Sequence, residues 1–205
     1  MFFDPADGMR PPPLKFSPFK ALVVPRPIGW ITSLDSKGNV NLAPFSYFNA
    51  VSDDPPCVMF CPGDHEGGRA KDTRLNVEET GEFVCNMASW DLREQMSATS
   101  ASLPRGTNEM NHAGLAAEPS VKVRPPRVKD APAHLECKYL QTVALPKSKT
   151  VAQNYIVIGQ VVGIHIRDDV IVDGRVDILK FKPVARLGYK DYTVVDSQFT
   201  MVWPD

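Results

Sequence analysis

Two clusters of hydrogen-bond donors in this sequence could hold a negatively charged ligand. The first lies between Pro25 and Asn49, where Thr32 and Ser33 precede a run of turn residues and Ser46 and Asn49 follow it. Hydroxyl and amide groups near a strand end can bind a phosphate or the polar edge of a ring, and the same residue types also flank ordinary turns. The second cluster is Lys71-Asp72-Thr73, with Arg69 two residues upstream. A helix starting here would offer unpaired N–H groups and the positive end of its dipole, with Lys71 as a point charge and Thr73 as a hydroxyl donor. The plainer reading makes Lys71 a solvated surface lysine and Asp72 a helix cap.

The elements that must position these groups are legible as pattern. Ile28 to Leu34 is rich in β-branched and aromatic residues, which suit a pleated, half-buried surface. Asp35-Ser36-Lys37-Gly38-Asn39 is a turn cluster, and Val40 to Asn49 returns as a second extended arm, so the pair predicts a β-hairpin. Pro44 has no N–H, so the ladder should break or bulge there and leave room for a ligand. Pro55 and Pro56 predict a turn, and Cys57 to Cys61 a short apolar strand. Asp72 as N-cap and Gly81 at C′ bound a short surface helix, Thr73 to Thr80. Strands are expected at Glu82 to Met87, Ala133 to Ala144, Tyr155 to Arg167 and, at an edge, Val170 to Val172, with a further one at Val176 to Leu179. Ser89 to about Ala98 and Glu109 to Leu115 read as short helices. Residues 1–18 carry five prolines and read as an extended arm, leaving 19–205 as one domain. Many strands, few helices and no βαβ alternation predict a mainly β fold, an antiparallel barrel with short peripheral helices.

Composition narrows the function. The 205 residues carry 23 basic and 24 acidic side chains, which gives no electrostatic footprint for nucleic acid and no polybasic membrane patch. No run of about 18 apolar residues could span a membrane, and the N-terminus lacks the basic start and apolar core of a signal peptide, so a cytoplasmic protein is expected. Cys57, Cys61, Cys85 and Cys137 show no zinc-ligand spacing, and no metal site is expected. Dinucleotide, P-loop and nucleophile-elbow fingerprints are all missing.

The string Pro25-Arg-Pro-Ile-Gly-Trp-Ile-Thr-Ser, followed by Asn41-Leu-Ala-Pro-Phe-Ser-Tyr-Phe-Asn, resembles the signature hairpin of the flavin reductase-like, FMN-binding split-barrel proteins. Flavoredoxins and NAD(P)H:flavin oxidoreductases belong to that group. The resemblance continues through Lys71-Asp-Thr-Arg-Leu-Asn, Gly81-Glu-Phe-Val-Cys-Asn, Glu136-Cys-Lys and Ala185-Arg-Leu-Gly with Tyr192, and so covers about Phe19 to Tyr192 in family order. It implies a Greek-key split barrel, a homodimer with FMN near the subunit interface, and NAD(P)H as transient hydride donor to flavin N5. No catalytic side chain is required, because the cofactor holds the chemistry. The implied cofactor site comprises Lys71, Thr73, Ser46 and Asn49 at the phosphate with Arg69 and Asp72 beside them, and Trp30, Ile31, Thr32, Ser33, Ala43 and Pro44 along the ring. Backbone amides there would meet the ring's polar edge. His112 and His134 lie near loops that could border the flavin. Tyr189 departs from the family pattern, which more often has a second glycine. A monooxygenase or an electron-transfer protein is the implied partner. A flavoredoxin-like carrier, or a flavin-binding module without turnover, shares the same hairpin and stays open as an alternative.

Overall fold

A computed structural model describes residues 1–65, 67–147 and 153–204. Between Gly29 and Phe60 the chain lays down four strands: β1 Gly29–Leu34, β2 Val40–Phe45, β3 Phe48–Asp53 and β4 Pro56–Phe60. The helix α1, Asp72–Thr80, leads into β5 Glu82–Met87, and the two long strands β6 Ala133–Ala144 and β7 Tyr155–Ile166 complete one sheet. Its order is β2-β1-β5-β6-β7-β4-β3, with every ladder antiparallel.

The two edge strands, β2 and β3, are consecutive in the chain and joined only by Ser46 and Tyr47. A sheet whose outermost strands are tied by two residues must curl until its edges approach. The Phe48 ring of β3 accordingly lies over Gly29 of β1, where an added Cβ would sit 2.5 Å from Phe48 Cδ2. No ladder joins β2 to β3 among the described residues, so the barrel is left open along one seam. The second arm of the predicted hairpin is therefore two strands on opposite sides of that seam. Ser46 lies in the bend and Asn49 beyond it.

Alternation along β1 sends Trp30 and Ile31 to opposite faces of the sheet. Ile31 joins Phe45, Phe60, Phe83 and Val157 inside the barrel, where the Phe60 ring meets Phe83 at 5.4 Å and Phe45 at 5.1 Å. Trp30 joins Leu42, Met96, Met110 and Val128 on the outer face, under the helices Arg93–Ala98 and Glu109–His112. Removing each of these side chains from water stabilises the fold by about 1.5–3 kcal/mol before entropy is counted.

Several sequence expectations shift by one element. Asp72 is the first helical residue and Lys71 the cap, while Gly81 takes the left-handed conformation at φ +74° as expected. Helix α1 is not a surface ornament: Thr73, Asn76 and Val77 are buried, and Val77 belongs to the interior core. Trp90–Leu92 is a 3-10 turn before the helix Arg93–Ala98, and Ser89 makes no side-chain cap. Arg175–Val176 is a two-residue strand and Ile178–Phe181 a helical turn capped by Asp177. Strand β7 is covered only in its first half; Ile164 is 59% exposed. A small second sheet pairs Arg26–Pro27 with Val184–Arg186 and that strand with Tyr192–Val194. The buried Arg26 guanidinium donates to the carbonyls of Lys20, Val23 and Leu187, fastening the N-terminal segment to this sheet.

Candidate functional site

A cleft of about 100 Å³ lies where edge strand β2, the first turn of α1 and the segment 99–103 converge. Strand β2 contributes Ala43 and Pro44, and the helix contributes Lys71, Asp72 and Thr73. The fold thus brings together five of the twelve residues expected at the site.

The helix start is uncapped and rich in cationic side chains. Lys71 holds the N-cap position in extended conformation and no side chain caps the first turn, so its N–H groups lack the usual oxygen partner. The Lys71 ammonium stands 6.0 Å from the centre of the Phe45 ring and has no carboxylate within ion-pair distance among the described residues. Asp72 is shared by Arg69 at 3.3 Å and Arg105 at 3.9 Å, and neither arginine has another carboxylate there. Three cations therefore gather around Asp72 at this mouth, with the Glu109 carboxylate turned inward onto the Leu42 N–H. Thr73 is buried and its hydroxyl oxygen accepts from Asn41 Nδ2 at 2.8 Å, which ties the helix start to β2.

The outer edge of β2 is closed to a different kind of ligand contact. Leu42 N–H donates to Glu109 Oε2 at 2.9 Å, so residue 42 faces away from β1. Backbone groups alternate sides along a strand, so Ala43 turns its N–H to the β1 ladder and Pro44 faces outward with none to offer. Leu42 and Pro44 present carbonyl oxygens at this edge, which offers no free N–H, contrary to the expectation that backbone amides there meet a ring. The same arrangement blunts an otherwise sticky edge.

Four expected residues are enclosed in the two cores. Trp30 is fully buried and its indole N–H donates to Thr99 Oγ1 at 2.8 Å. Ile31 packs inside the barrel, Thr32 Oγ1 accepts from Asn86 Nδ2 at 2.7 Å, and Ser33 Oγ accepts from Asn76 Nδ2 at 3.2 Å. The backbones of Trp30, Ile31 and Thr32 lie between two ladders and that of Ser33 pairs with β2, so the four support the cleft from behind. Ser46 and Asn49 do not line it, and Asn49 Oδ1 accepts instead from Ala50 N at 3.0 Å. Arg69 reaches the mouth through Asp72.

Residues that pattern alone did not single out also line the cleft: Asn41, His65, Ser100, Ser102 and Glu109. No local signal marks them, because a polar loop residue acquires a role only from what the fold sets opposite it. Burial, followed by the charges of Arg69 and Lys71, pushes His65 below the ordinary imidazole value, so the ring is neutral at neutral pH. Burial pushes the Glu109 carboxyl up, against the pull of the Leu42 N–H. His112 does not line the cleft, and His134 lies in β6 bonded to Val128 O at 2.8 Å.

Comparison with known proteins agrees with this architecture. The sequence profile of the flavin reductase like domain matches residues 21–181. An uncharacterized protein of Aquifex aeolicus is 39% identical over 172 residues, covering 83% of this chain and 85% of that one. Among solved structures, nitrilotriacetate monooxygenase component B from Bacillus cereus superposes with a TM-score of 0.89 at 28% identity over 98% of each chain. The Pseudomonas fluorescens 2-nitrobenzoate 2-nitroreductase NbaA gives 0.77 at 32% identity over 91% of this chain and 88% of its own. Flavoredoxin of Desulfovibrio vulgaris, at 18% identity, 0.75 and 88% and 92% coverage, shares the fold. With the profile spanning most of the sequence and the same open barrel recurring in these structures, the chain belongs to the flavin reductase-like domain family.

Proposed function

We propose that this protein is an FMN-dependent oxidoreductase of the flavin reductase type, taking a hydride from NAD(P)H and passing reducing equivalents to a partner such as a monooxygenase. The observation that carries the reading is the charge at the cleft mouth. Lys71, Arg69 and Arg105 outnumber Asp72 and the inward-bonded Glu109 and leave positive charge beside an uncapped helix start, and a flavin phosphate brings roughly −1.5 to −2. The donor set fits that group: the Lys71 ammonium, the helix N–H groups and the hydroxyl of Ser102 line the cleft, with the guanidinium groups of Arg69 and Arg105 behind them on Asp72. FMN when bound would supply hydride acceptance and release.

The chain's own part is to hold and orient. Lys71 and the first turn of α1 anchor the phosphate, and the carbonyl edge of β2 offers acceptors to ring N–H. His65, neutral at neutral pH, can donate or accept a hydrogen bond at the rim. A cleft of about 100 Å³ is small against the roughly 300–1,000 Å³ of ordinary ligand sites, so it would hold the phosphate end of the cofactor and leave the ring outside its enclosed part. A second copy of the chain closes that mouth in a homodimer. Large apolar side chains left in water, including Phe16 at 64% and Leu22 at 75% exposed, supply surface for such an interface.

Anaerobic stopped-flow mixing of the FMN-loaded protein with NADH or NADPH tests the reading. Rapid bleaching of the flavin band is expected. Reduction by dithionite or a protein donor but by neither nicotinamide would make the protein an electron carrier, and failure to bind FMN at all would remove the proposal.

A further inference from the structure

A second pocket, of about 360 Å³, opens beside the ends of β6 and β7, and nothing in the flavin reading uses it. His134 and His165 face each other across the β6–β7 ladder as register partners, their ring centres 6.1 Å apart. Behind His165 stands Glu136, whose side chain is fully buried. Its two oxygens accept from the backbone N–H groups of Val121, Lys122 and Val123 at 2.8, 2.5 and 3.2 Å, and Oε1 lies 2.5 Å from His165 Nε2. The carboxylate thus fixes the orientation of the His165 ring and leaves Nδ1 without a bond within the described chain.

His134 supplies the feature that points to a ligand. It is 3% exposed, and its Nε2 lies 2.8 Å from the carbonyl oxygen of Val128, so the proton sits on Nε2 and Nδ1 is a bare acceptor. That Nδ1 is buried without any partner. An unmet acceptor in a pocket wall costs free energy until a donor reaches it.

The charges around the rim define the rest of the ligand. Arg127 is balanced by Glu118 at 3.0 Å, and Arg167 by Asp169 at 2.5 Å. Lys129 lines the same pocket with no carboxylate partner among the described residues, leaving one positive charge open. Ile164 and Ile166, 59% and 38% exposed, add apolar surface at the strand end. We propose that this pocket binds a small organic monocarboxylate bearing a hydroxyl: the carboxylate at Lys129, the hydroxyl donating to His134 Nδ1, and the hydrocarbon body on the isoleucines.

The pocket is wired to the flavin hairpin. Val128, which accepts from His134, donates its N–H to Asn86 Oδ1 at 2.7 Å, and Asn86 Nδ2 donates to Trp30 O and Thr32 Oγ1 at 2.8 and 2.7 Å. A ligand that orders His134 therefore acts on the same chain of bonds that holds β1 in place.

Calorimetric titration of the FMN-loaded protein with mandelate, phenylacetate and inorganic phosphate tests the assignment. Mandelate should bind saturably, about tenfold more tightly than phenylacetate, which lacks the hydroxyl, and more tightly than phosphate. Lys129→Gln should weaken mandelate about tenfold, whereas Lys37→Gln, on the exposed turn between β1 and β2, should leave it unchanged. In NMR, mandelate should shift the imidazole signals of His134 and His165 and leave those of His65 in place. Absence of saturation in the millimolar range, equal affinity for phenylacetate, tighter binding of phosphate, or loss of mandelate binding in Lys37→Gln would each overturn the proposal.

Discussion

Lys71 and Glu109 show how differently two charged residues in one cleft can be employed. Lys71 has no carboxylate partner among the described residues, so removing its ammonium should cost the fold little. Lys71→Ala is expected to weaken FMN binding by about 1.5–3 kcal/mol, read by flavin fluorescence titration, with an unchanged melting temperature. Equal affinity would take Lys71 out of the site. Glu109 is bound inward, receiving the Leu42 N–H that the edge strand would otherwise leave bare. Glu109→Ala should destabilise the protein by about 1–3 kcal/mol in urea unfolding, because a buried N–H loses its acceptor. Glu109→Gln, whose amide oxygen can still accept, should cost clearly less; equal losses from both variants would show that the bond is immaterial. Lys71 could be picked out in the sequence because a cation before a helix start has a known use. Glu109 could not, since its partner lies 67 residues away.

At the scale of elements, close approach and turn geometry decide where substitution is tolerated. Gly159 sits at a register shift in β7, and a Cβ there would collide with the ring of Phe83, itself fully buried in the barrel interior. Gly159→Ala should lower stability by about 1–3 kcal/mol, seen as a reduced denaturant midpoint. An unshifted midpoint would mean that the ring can move aside. Tyr189 makes the complementary point. It departs from the family's glycine yet keeps the turn, at φ +57°, with its ring edge-on to Phe16 at 5.6 Å. The elements themselves were largely readable: Glu82–Met87 and Ala133–Ala144 fall where composition placed them. The break at Ser46 was not, because Val40 to Asn49 reads as one extended run and only the curl of the sheet separates its halves.

For the molecule as a whole, buried titratable groups tie stability to pH. Burial holds His134 near a pKa of about 4, against an ordinary value of 6.5. Between those values the unfolded chain binds a proton that the folded chain refuses, so stability is complete above 6.5 and drains away as pH falls towards 4. The loss from this group is about 3 kcal/mol. Glu136 works in the same direction: burial raises its pKa, but the bonds from Val121, His165 and Lys122 outweigh that and leave it lowered. Urea unfolding at pH 7.5 and pH 4.5 should show this acid loss, and His134→Gln should reduce it; a flat profile would contradict the burial of a neutral imidazole. Light scattering should report a dimer, and a monomeric FMN-loaded protein would show that one chain completes its own flavin site.

What the sequence determined by itself was local and chemical. Alternation and β-branched residues specify the strands, Gly81 ends the helix, and Lys71 stands out as a cation before that helix start, because each depends on neighbours within a few positions. The tertiary structure alone decided that Val40 to Asn49 splits across an open seam, that Trp30 to Ser33 back the cleft while Glu109 and the 99–103 segment line it, and that two histidines meet over a second pocket. Those outcomes follow from the curling of a seven-stranded sheet, which sets side by side residues that no spacing along the chain relates.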